Sequence, residues 1–327
     1  MRPVIKPGSH PLEKKKYILS TPSISALSGF IDESLDLNTG AILVGPSRFG
    51  KSKAIKYIGG EMRATYGNDV LVYSKTEAIH QTKSSEKQFF LSLLKGVDHS
   101  MLSGDSHALR DRLLKFIISE VKKISGSKII FFIDEAQNWG ISEFKWLVEV
   151  GNEIEHNDLY FIAFLVGEPE LIHNRTLYET TGGNKIINRF MTRTFEFRGI
   201  RNLKDMEYIL EGYDNDSEYP HESGYSYTRY FCEKYFDLGW RIKNESGKLL
   251  QAFREIRERK NLPVIEEIPI VHLVRAVEKL LLKTELKDDG FSYEDCKNAV
   301  LKSGYIEGHK YIKLISDEDR ISNISNK

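Results

Sequence analysis

The stretch GPSRFGKS, residues 45–52, reads Gly, four residues, Gly, Lys and Ser, and it follows the short apolar run AILV. Such a loop cradles phosphate only when a strand enters it and a helix leaves it, because the helix N-terminus supplies amides and a positive dipole end. AILV is typical of a buried strand, and KAIKYIGGEMRATYG (53–67) carries apolar residues at helical spacing. The context favours a nucleotide site over a chance turn. The loop residues that we expect at the nucleotide are Gly45, Pro46, Ser47, Arg48, Phe49, Gly50, Lys51, Ser52 and Lys53.

Composition limits the classes of protein. The chain has 327 residues, enough for one large or two modest domains, and Lys plus Arg equal Asp plus Glu at 47 each, so any nucleic-acid contact must come from a local basic patch. Cys232 and Cys296 form no C-x-x-C pair, which suits a reducing cytosol. The apolar runs are far shorter than the ~20 residues that span a bilayer, and the N-terminus lacks the apolar region of a secretory signal. We expect a soluble, cytoplasmic protein with no membrane partner.

The order of elements predicts the fold class. Residues 1–16, rich in proline and lysine, are typical of an N-terminal arm, either extended or disordered. Helical patterns alternate with strand patterns up to about residue 200, which predicts an α/β core over 17–200 with a parallel sheet flanked by helices. Helical patterns alone follow over 201–327, which predicts a C-terminal helical domain. The strand patterns after the first are DVLVYSK (69–75), KIIFFIDEAQ (128–137) and LYFIAFLV (159–166).

Two acids end a buried strand downstream of the phosphate loop. Asp134 can hold the Mg²⁺ that Ser52 also coordinates. Glu135 can polarise a water for attack on a γ-phosphate, a step that a kinase does not need. Two acids that cap a surface strand are the alternative, which leaves unexplained why an apolar strand ends in charge where α/β folds bind ligands.

Further charges follow the next strand. Glu168, in GEPEL (167–171), falls at the same end of the sheet and can reach the γ-phosphate or its water, although a solvated turn acid is an equal alternative. Arg189 and Arg193 precede a candidate edge strand. An arginine supplied by a neighbouring subunit stabilises charge on a transferred phosphoryl group, but structural arginines are also common.

Taken together, GPSRFGKS, FFIDEAQN, FLVGEPEL and INRF, followed by a helical region, resemble the AAA+ ATPases. Within them the sequence is most similar to the TniB/TnsC group of transposition regulators, over roughly residues 17–260. The resemblance implies an AAA+ P-loop core with a helical lid domain. It also implies ATP and Mg²⁺ as cofactors, hydrolysis of ATP, assembly as rings or filaments around duplex DNA, and partners that include a transposase and a target-selection protein.

The resemblance also assigns residues. Lys51 and Ser52 would hold phosphates and Mg²⁺, Asp134 the metal and Glu135 the hydrolytic water. Glu168 stands at the sensor position, where a neutral amide is more usual. Arg189, in INRF, would be the arginine finger. For the lid's sensor arginine, the candidate is Arg241, in LGWRIKNESGKLL (238–250), without the usual spacing.

DNA contacts in such assemblies come from loops that follow the second strand. Here that segment is SKTEAIHQTKSSEK (74–87), whose polar and basic residues could grip phosphates without reading bases, as a sequence-tolerant binder requires. A solvated polar loop is an equal alternative. The residues that we expect at DNA are Lys75, Thr76, Lys83, Ser84 and Lys87.

Three other functions share these motifs. An ATPase of a membrane secretion system would carry a spanning stretch, which the sequence lacks. A nucleotide switch in defence signalling usually adds a long repeat region, and no repeat is present. A small-molecule kinase is disfavoured by Glu135 and by a helical domain that follows the sheet.

Overall fold

The computed structural model describes residues 2–78, 83–260 and 267–308. Its contacts divide the chain into two compact units. We call the described residues of Ile24–Phe197 the sheet unit, and those of Met1–Ser23 and Arg198–Lys327 together the helical unit. Among the described residues, no helix has the length and apolarity that crossing a membrane requires.

The sheet unit is built on five parallel strands in the order β2-β3-β4-β1-β5. The central strands are almost wholly buried, as the continuous apolar runs predicted for a sheet covered on both faces. Because all strands run parallel, their carboxyl ends meet at one edge, where the loops after β1, β3 and β4 lie side by side. The strands are β1 (Ala41–Val44), β2 (Val70–Glu77), β3 (Lys128–Asp134), β4 (Tyr160–Gly167) and β5 (Arg193–Glu196).

Helices connect these strands and shield the sheet. Two of them begin at side-chain caps, where Ser85 and Asp105 accept hydrogen bonds from the backbone N–H groups of Gln88 and Ala108. The apolar faces of the helices join those of the strands in one core. With the N-terminal α1 counted first, the helices from the start of this unit are α2 (Pro22–Asp36), α3 (Lys51–Tyr66), α4 (Glu86–Gly96), α5 (Ser106–Lys123), α6 (Ile141–Glu155), α7 (Glu170–Thr180) and α8 (Asn184–Ile186).

The helical unit has its own apolar core. Its last helix begins at the predicted capping box, in which Ser292 and Asp295 each accept a hydrogen bond from the other's backbone N–H, at 3.1 and 3.0 Å. The helices are α1 (Pro11–Lys14), α9 (Leu203–Glu211), α10 (Tyr227–Phe231), α11 (Glu233–Asp237), α12 (Ser246–Arg259), α13 (Ile270–Lys283) and α14 (Tyr293–Leu301).

The N-terminal segment packs into the helical unit. Composition predicted an arm here, but Leu12 is fully buried and the buried ring of His10 lies among Tyr219, Tyr227 and Phe231 at centroid distances of 4.7–5.2 Å. Burial lowers the pKa of His10 to about 4, so the ring is neutral at pH 7. A neutral imidazole packs among aromatic rings as an apolar group does, which a count of prolines and lysines does not reveal.

Candidate functional site

The phosphate loop joins β1 to α3 at the carboxyl edge of the sheet. Arg48 and Gly50 have φ of +70° and +91°, so the loop turns through the left-handed region just before the helix. No side chain caps the first N–H groups of α3. Helix N-termini leave such groups unsatisfied, which makes them anion sites. The loop therefore has the backbone form that a phosphate needs.

Gly45 allows the loop to lie close to the chain that follows β5. A Cβ atom at Gly45 would stand 2.7 Å from Cβ of Phe197, closer than carbon atoms pack. Phe49 is buried within the loop, so it contributes packing, whereas Pro46, Ser47 and Arg48 are exposed along with the helix residue Lys53.

Lys51 lies across the loop. Its Nζ donates to the carbonyl oxygens of Gly45 at 2.6 Å and of Pro46 at 3.2 Å. Burial lowers the pKa of Lys51, and the carboxylates of Glu168, Glu135 and Asp134 oppose this shift. The side chain is 7% exposed. Phosphate oxygens can replace the two carbonyl oxygens as hydrogen-bond acceptors of the Lys51 ammonium, because a charged acceptor binds it more strongly.

Ser52 and Asp134 are joined by a direct hydrogen bond. Ser52 Oγ donates to Asp134 Oδ2 at 2.6 Å, and the backbone N–H of Glu135 donates to Asp134 Oδ1 at 3.0 Å. A hydroxyl and a carboxylate oxygen are the hard donors that Mg²⁺ takes from a protein when phosphates and waters complete its shell. The residues present therefore fit a magnesium–nucleotide site.

Glu135 follows β3 in an uncommon conformation, with φ of +56°. Gln137 Nε2 donates to Glu135 Oε2 at 2.7 Å, and Gln137 Oε1 accepts from the backbone N–H of Glu168 at 3.2 Å. Sequence reasoning gave Gln137 no role, although it ends the Asp-Glu-Ala-Gln motif. The motif therefore pointed to Gln137, but its contacts with Glu135 and Glu168 became visible only in the fold.

Glu168 lies directly after β4, beside the phosphate loop. Burial raises the pKa of Glu168, the Lys51 ammonium opposes the shift, and Glu170 and Glu135 add to it. Three strand ends thus bring one lysine and several carboxylates together. Lys51, Ser52, Asp134, Glu135 and Glu168 form one cluster, which we call the carboxyl-edge site.

Arg189 lies elsewhere. Its backbone oxygen accepts from the N–H of Gly40, just before β1 begins, so it stands at the amino edge of the sheet. The guanidinium donates to Asn152 Oδ1 at 2.7 Å and pairs with Glu155. It also lies on Gly151, where a Cβ would be 2.7 Å from its Nη2. Arg189 is therefore outside the site of its own chain.

Arg193 is also held within the sheet unit. It donates to Ser34 Oγ at 2.8 Å and Glu33 Oε2 at 2.6 Å, with its guanidinium carbon 4.4 Å from the ring centroid of Phe30. In the helical unit, Arg241 donates to the carbonyl oxygen of Phe236 at 2.8 Å and stacks on its ring.

The residues expected at DNA have different surroundings. Lys75 is exposed and pairs with Asp98 at 2.5 Å. Thr76 is 1% exposed and packs against Gly96. Its side chain is therefore not accessible to a DNA phosphate. Ser85 is the N-cap of α4, and Lys83, Ser84 and Lys87 are exposed around the start of this helix. Residues 79–82 of the predicted loop lie outside the described residues.

Comparison with known proteins establishes the fold. No protein-family model and no curated protein matches the chain. The ORC2 protein of Aeropyrum pernix, solved in ADPNP–ADP complexes, aligns with a TM-score of 0.55 and 13% identity over 90% of this chain and 71% of that one. A Walker-type ATPase of Pyrococcus abyssi aligns with a TM-score of 0.53 and 13% identity over 94% and 78%. These neighbours share the fold, and the predicted α/β class with a parallel sheet flanked by helices is confirmed.

Proposed function

We propose that the protein is a magnesium-dependent ATPase that binds ATP at the carboxyl-edge site. One observation carries the proposal: the carboxyl ends of β1 and β3 bring Lys51, Ser52, Asp134 and Glu135 together, with Ser52 Oγ and Asp134 Oδ2 2.6 Å apart. The similar ORC2 protein was solved with ADPNP and ADP, and we propose the same class of ligand here.

The phosphates are held by the loop and by Lys51. We assign the N–H groups that open α3 to the phosphate oxygens, because they lack partners in the helix. Lys51 exchanges its two carbonyl partners for phosphate oxygens, so its charge gains a stronger partner. When bound, ATP supplies the γ-phosphoryl group and Mg²⁺ neutralises its charge.

Glu135 activates the water. Gln137 occupies Oε2 of Glu135, so we assign Oε1 to the water that attacks phosphorus. Asp134 and Ser52 would hold the metal through their carboxylate and hydroxyl oxygens, and the metal would supply positive charge at the phosphates. A separate acid therefore serves each task, binding metal or accepting a proton.

We propose that subunits assemble so that each completes a neighbour's site. Since Arg189 lies at the amino edge of the sheet, it can serve as an arginine finger only in trans, after leaving Glu155 and Asn152. We further propose that Arg241 in the helical unit acts as the sensor arginine, following the motif resemblance.

We propose duplex DNA as the partner of the assembly. Lys83 and Lys87 are exposed on either side of Ser85, the N-cap of α4, where a DNA phosphate would meet two cations and the helix N-terminus, although Glu86 stands beside them. The contact carries no base information, because it is made to the phosphate backbone.

The finer proposal is a regulator of transposition that links a target-selection protein to a transposase and disassembles when ATP is hydrolysed. Its support is the motif set GPSRFGKS, FFIDEAQN and FLVGEPEL, with Glu168 as sensor. A pull-down of the cognate transposase in ATP and in ADP tests it: retention in ATP alone is expected, and equal retention in both overturns it.

DNA binding is tested by fluorescence anisotropy on unrelated duplexes, with and without ATP. We expect ATP-dependent, cooperative binding whose log affinity falls linearly with log salt, by about −0.9 per neutralised phosphate. Lys83→Ala with Lys87→Ala should make that slope shallower. Lys122→Ala with Lys145→Ala, two exposed lysines of the same unit, removes equal charge and should not. Binding without ATP, or none at low salt, contradicts the DNA proposal.

A further inference from the structure

One amide side chain connects two strand ends of the carboxyl-edge site. Gln137 donates through Nε2 to the carboxylate of Glu135, which follows β3, and accepts through Oε1 from the N–H of Glu168, which follows β4. Because Oε1 must face a donor and Nε2 an acceptor, both ends of the amide are assigned by their partners.

The neighbouring backbone is shaped around this amide. At Gly167, the last residue of β4, a Cβ would lie 2.3 Å from Gln137 Oε1 and 3.4 Å from its Cδ. Only glycine leaves room for Gln137 at that distance. Gln137 therefore fits against the end of β4 closely enough for a single methyl group to displace it.

Glu135 depends on outside contacts for its orientation. Its backbone is in the left-handed region, and its N–H is committed to Asp134 Oδ1. Its side chain would otherwise sample several rotamers. The hydrogen bond from Gln137 favours one rotamer of Glu135. Gln137 in turn accepts from the N–H of Glu168, so this rotamer is linked to the end of β4.

We propose that Gln137 is a positioning residue for hydrolysis. Its two hydrogen bonds orient the Glu135 carboxylate and link that orientation to the backbone at the end of β4. The inference rests on the proposed ATPase function, and the role assigned to Gln137 acts through Glu135 rather than on the nucleotide itself. Displacement of Glu168 by a ligand at Lys51 would then move the Gln137 amide and Glu135 with it.

Steady-state kinetics test the positioning. Gln137→Ala should lower kcat by about 10²-fold, the cost of a small misplacement of a reacting group, with little change in KM or in ATP affinity. Gln137→Met keeps the volume without the amide and should behave like Gln137→Ala, whereas a packing role predicts near-normal turnover. Gln137→Glu keeps the bond from Glu168 but cannot donate to Glu135, so it too should be slow. Gln88→Ala, an exposed glutamine of the same unit, is the control.

The contact itself is tested without activity. Gly167→Ala should lower the Tm of the ligand-free protein, because its new methyl group meets Gln137 Oε1. In the Gln137→Ala background the same change should cost less, since the atom at 2.3 Å is gone and the remaining close atom, Leu171 Cδ2, lies at 3.3 Å. Strong non-additivity in this double-mutant cycle is expected, and additive effects overturn the contact.

The two proposals fail differently. If the wild-type protein hydrolyses ATP and Gln137→Met keeps full kcat, the positioning role is wrong and the ATPase proposal stands. If the wild-type protein binds no ATP, both are wrong. Reduced kcat in the three Gln137 variants with unchanged KM, together with the non-additive Tm cycle, supports the inference.

Discussion

Each edge of the central sheet carries a cation, the buried Lys51 or the partly buried Arg189, and the two edges hold these cations in different ways. At the carboxyl edge, Lys51 bonds to two backbone carbonyls of its own loop, at 2.6 and 3.2 Å. At the amino edge, Arg189 is bound by Glu155 and by Asn152 at 2.7 Å, over Gly151. A neutral carbonyl yields a cation to an incoming anion more readily than a carboxylate does, so the first arrangement suits a ligand site.

The partners of a cation decide whether it is available to bind a ligand. In the sequence, both Lys51 and Arg189 are candidates for a phosphate contact, and the phosphate-loop motif makes Lys51 the stronger one. In the fold, Lys51 lies near the carboxylates of Asp134, Glu135 and Glu168 at the strand ends. Arg189 instead forms an ion pair with Glu155 of α6. The amino edge is organised for stability in the single chain, and a role in trans would have to break that arrangement.

The largest effect is expected from Lys51→Ala. Losing two charge-assisted hydrogen bonds of about 1.5–3 kcal/mol each should weaken ATP affinity by roughly 10²–10⁴-fold. Isothermal titration calorimetry measures the change. Lys56→Ala, an exposed lysine of the same helix, is the control and should bind normally. Equal ATP affinity of the Lys51→Ala and Lys56→Ala proteins would contradict the assignment of Lys51 to the phosphates.

Glu135→Gln should separate hydrolysis from binding. The amide cannot accept the water's proton, so kcat should fall by roughly 10²–10⁴-fold, while ATP affinity is kept. Phosphate release and calorimetry measure the two quantities. Glu170→Gln, an exposed acid beyond β4, should hydrolyse at nearly the wild-type rate. A wild-type rate in Glu135→Gln would show that another group activates the water.

Arg189→Ala tests the amino edge. Removing hydrogen bonds to a charged group should lower the free energy of unfolding by about 1.5–3 kcal/mol, measured by urea denaturation. Arg175→Ala, which breaks a more exposed pair with Glu179, should cost about 1 kcal/mol or less. No loss of stability in Arg189→Ala would contradict the structural role of this arginine.

A mixing experiment sharpens the same comparison. If Arg189 serves a neighbour, Arg189→Ala protein mixed with an excess of Lys51→Ala protein should regain part of its ATPase activity, since one interface then joins an intact Lys51 to an intact Arg189. Light scattering confirms assembly. No recovery at any ratio in assembled samples would restrict Arg189 to the stability of its own chain.

The smallest effect is expected from Glu168→Gln. Burial raises the pKa of Glu168, so the folded protein holds this proton more tightly than the unfolded chain. Its contribution to stability is therefore fully present below the unfolded pKa and is lost as the pH rises through the raised folded value. Above that pH Glu168→Gln should have the higher Tm, and the difference should disappear in acid. Parallel Tm curves for the two proteins would contradict the raised pKa.

Local sequence pattern predicted much of the fold and part of the site. The apolar runs at β1, β3 and β4 and the capping box at Ser292 required only neighbouring residues to recognise. Ser52 and Asp134, 82 positions apart, were paired from motif knowledge and meet at 2.6 Å. The predicted DNA contact at Thr76 failed because β2 extends to Glu77 and buries this side chain against Gly96.

Apolar periodicity and turn residues act over a few positions, so local pattern was enough to predict β1, β3, β4 and the phosphate loop. Which side chains meet depends on the tertiary structure. It placed Gln137 between Glu135 and Glu168, joined Arg189 to Glu155, and folded His10 into an aromatic core. Such contacts depend on how parallel strands and helices are ordered in space, and residues distant in the chain carry no local mark of the partner that the fold will bring to them.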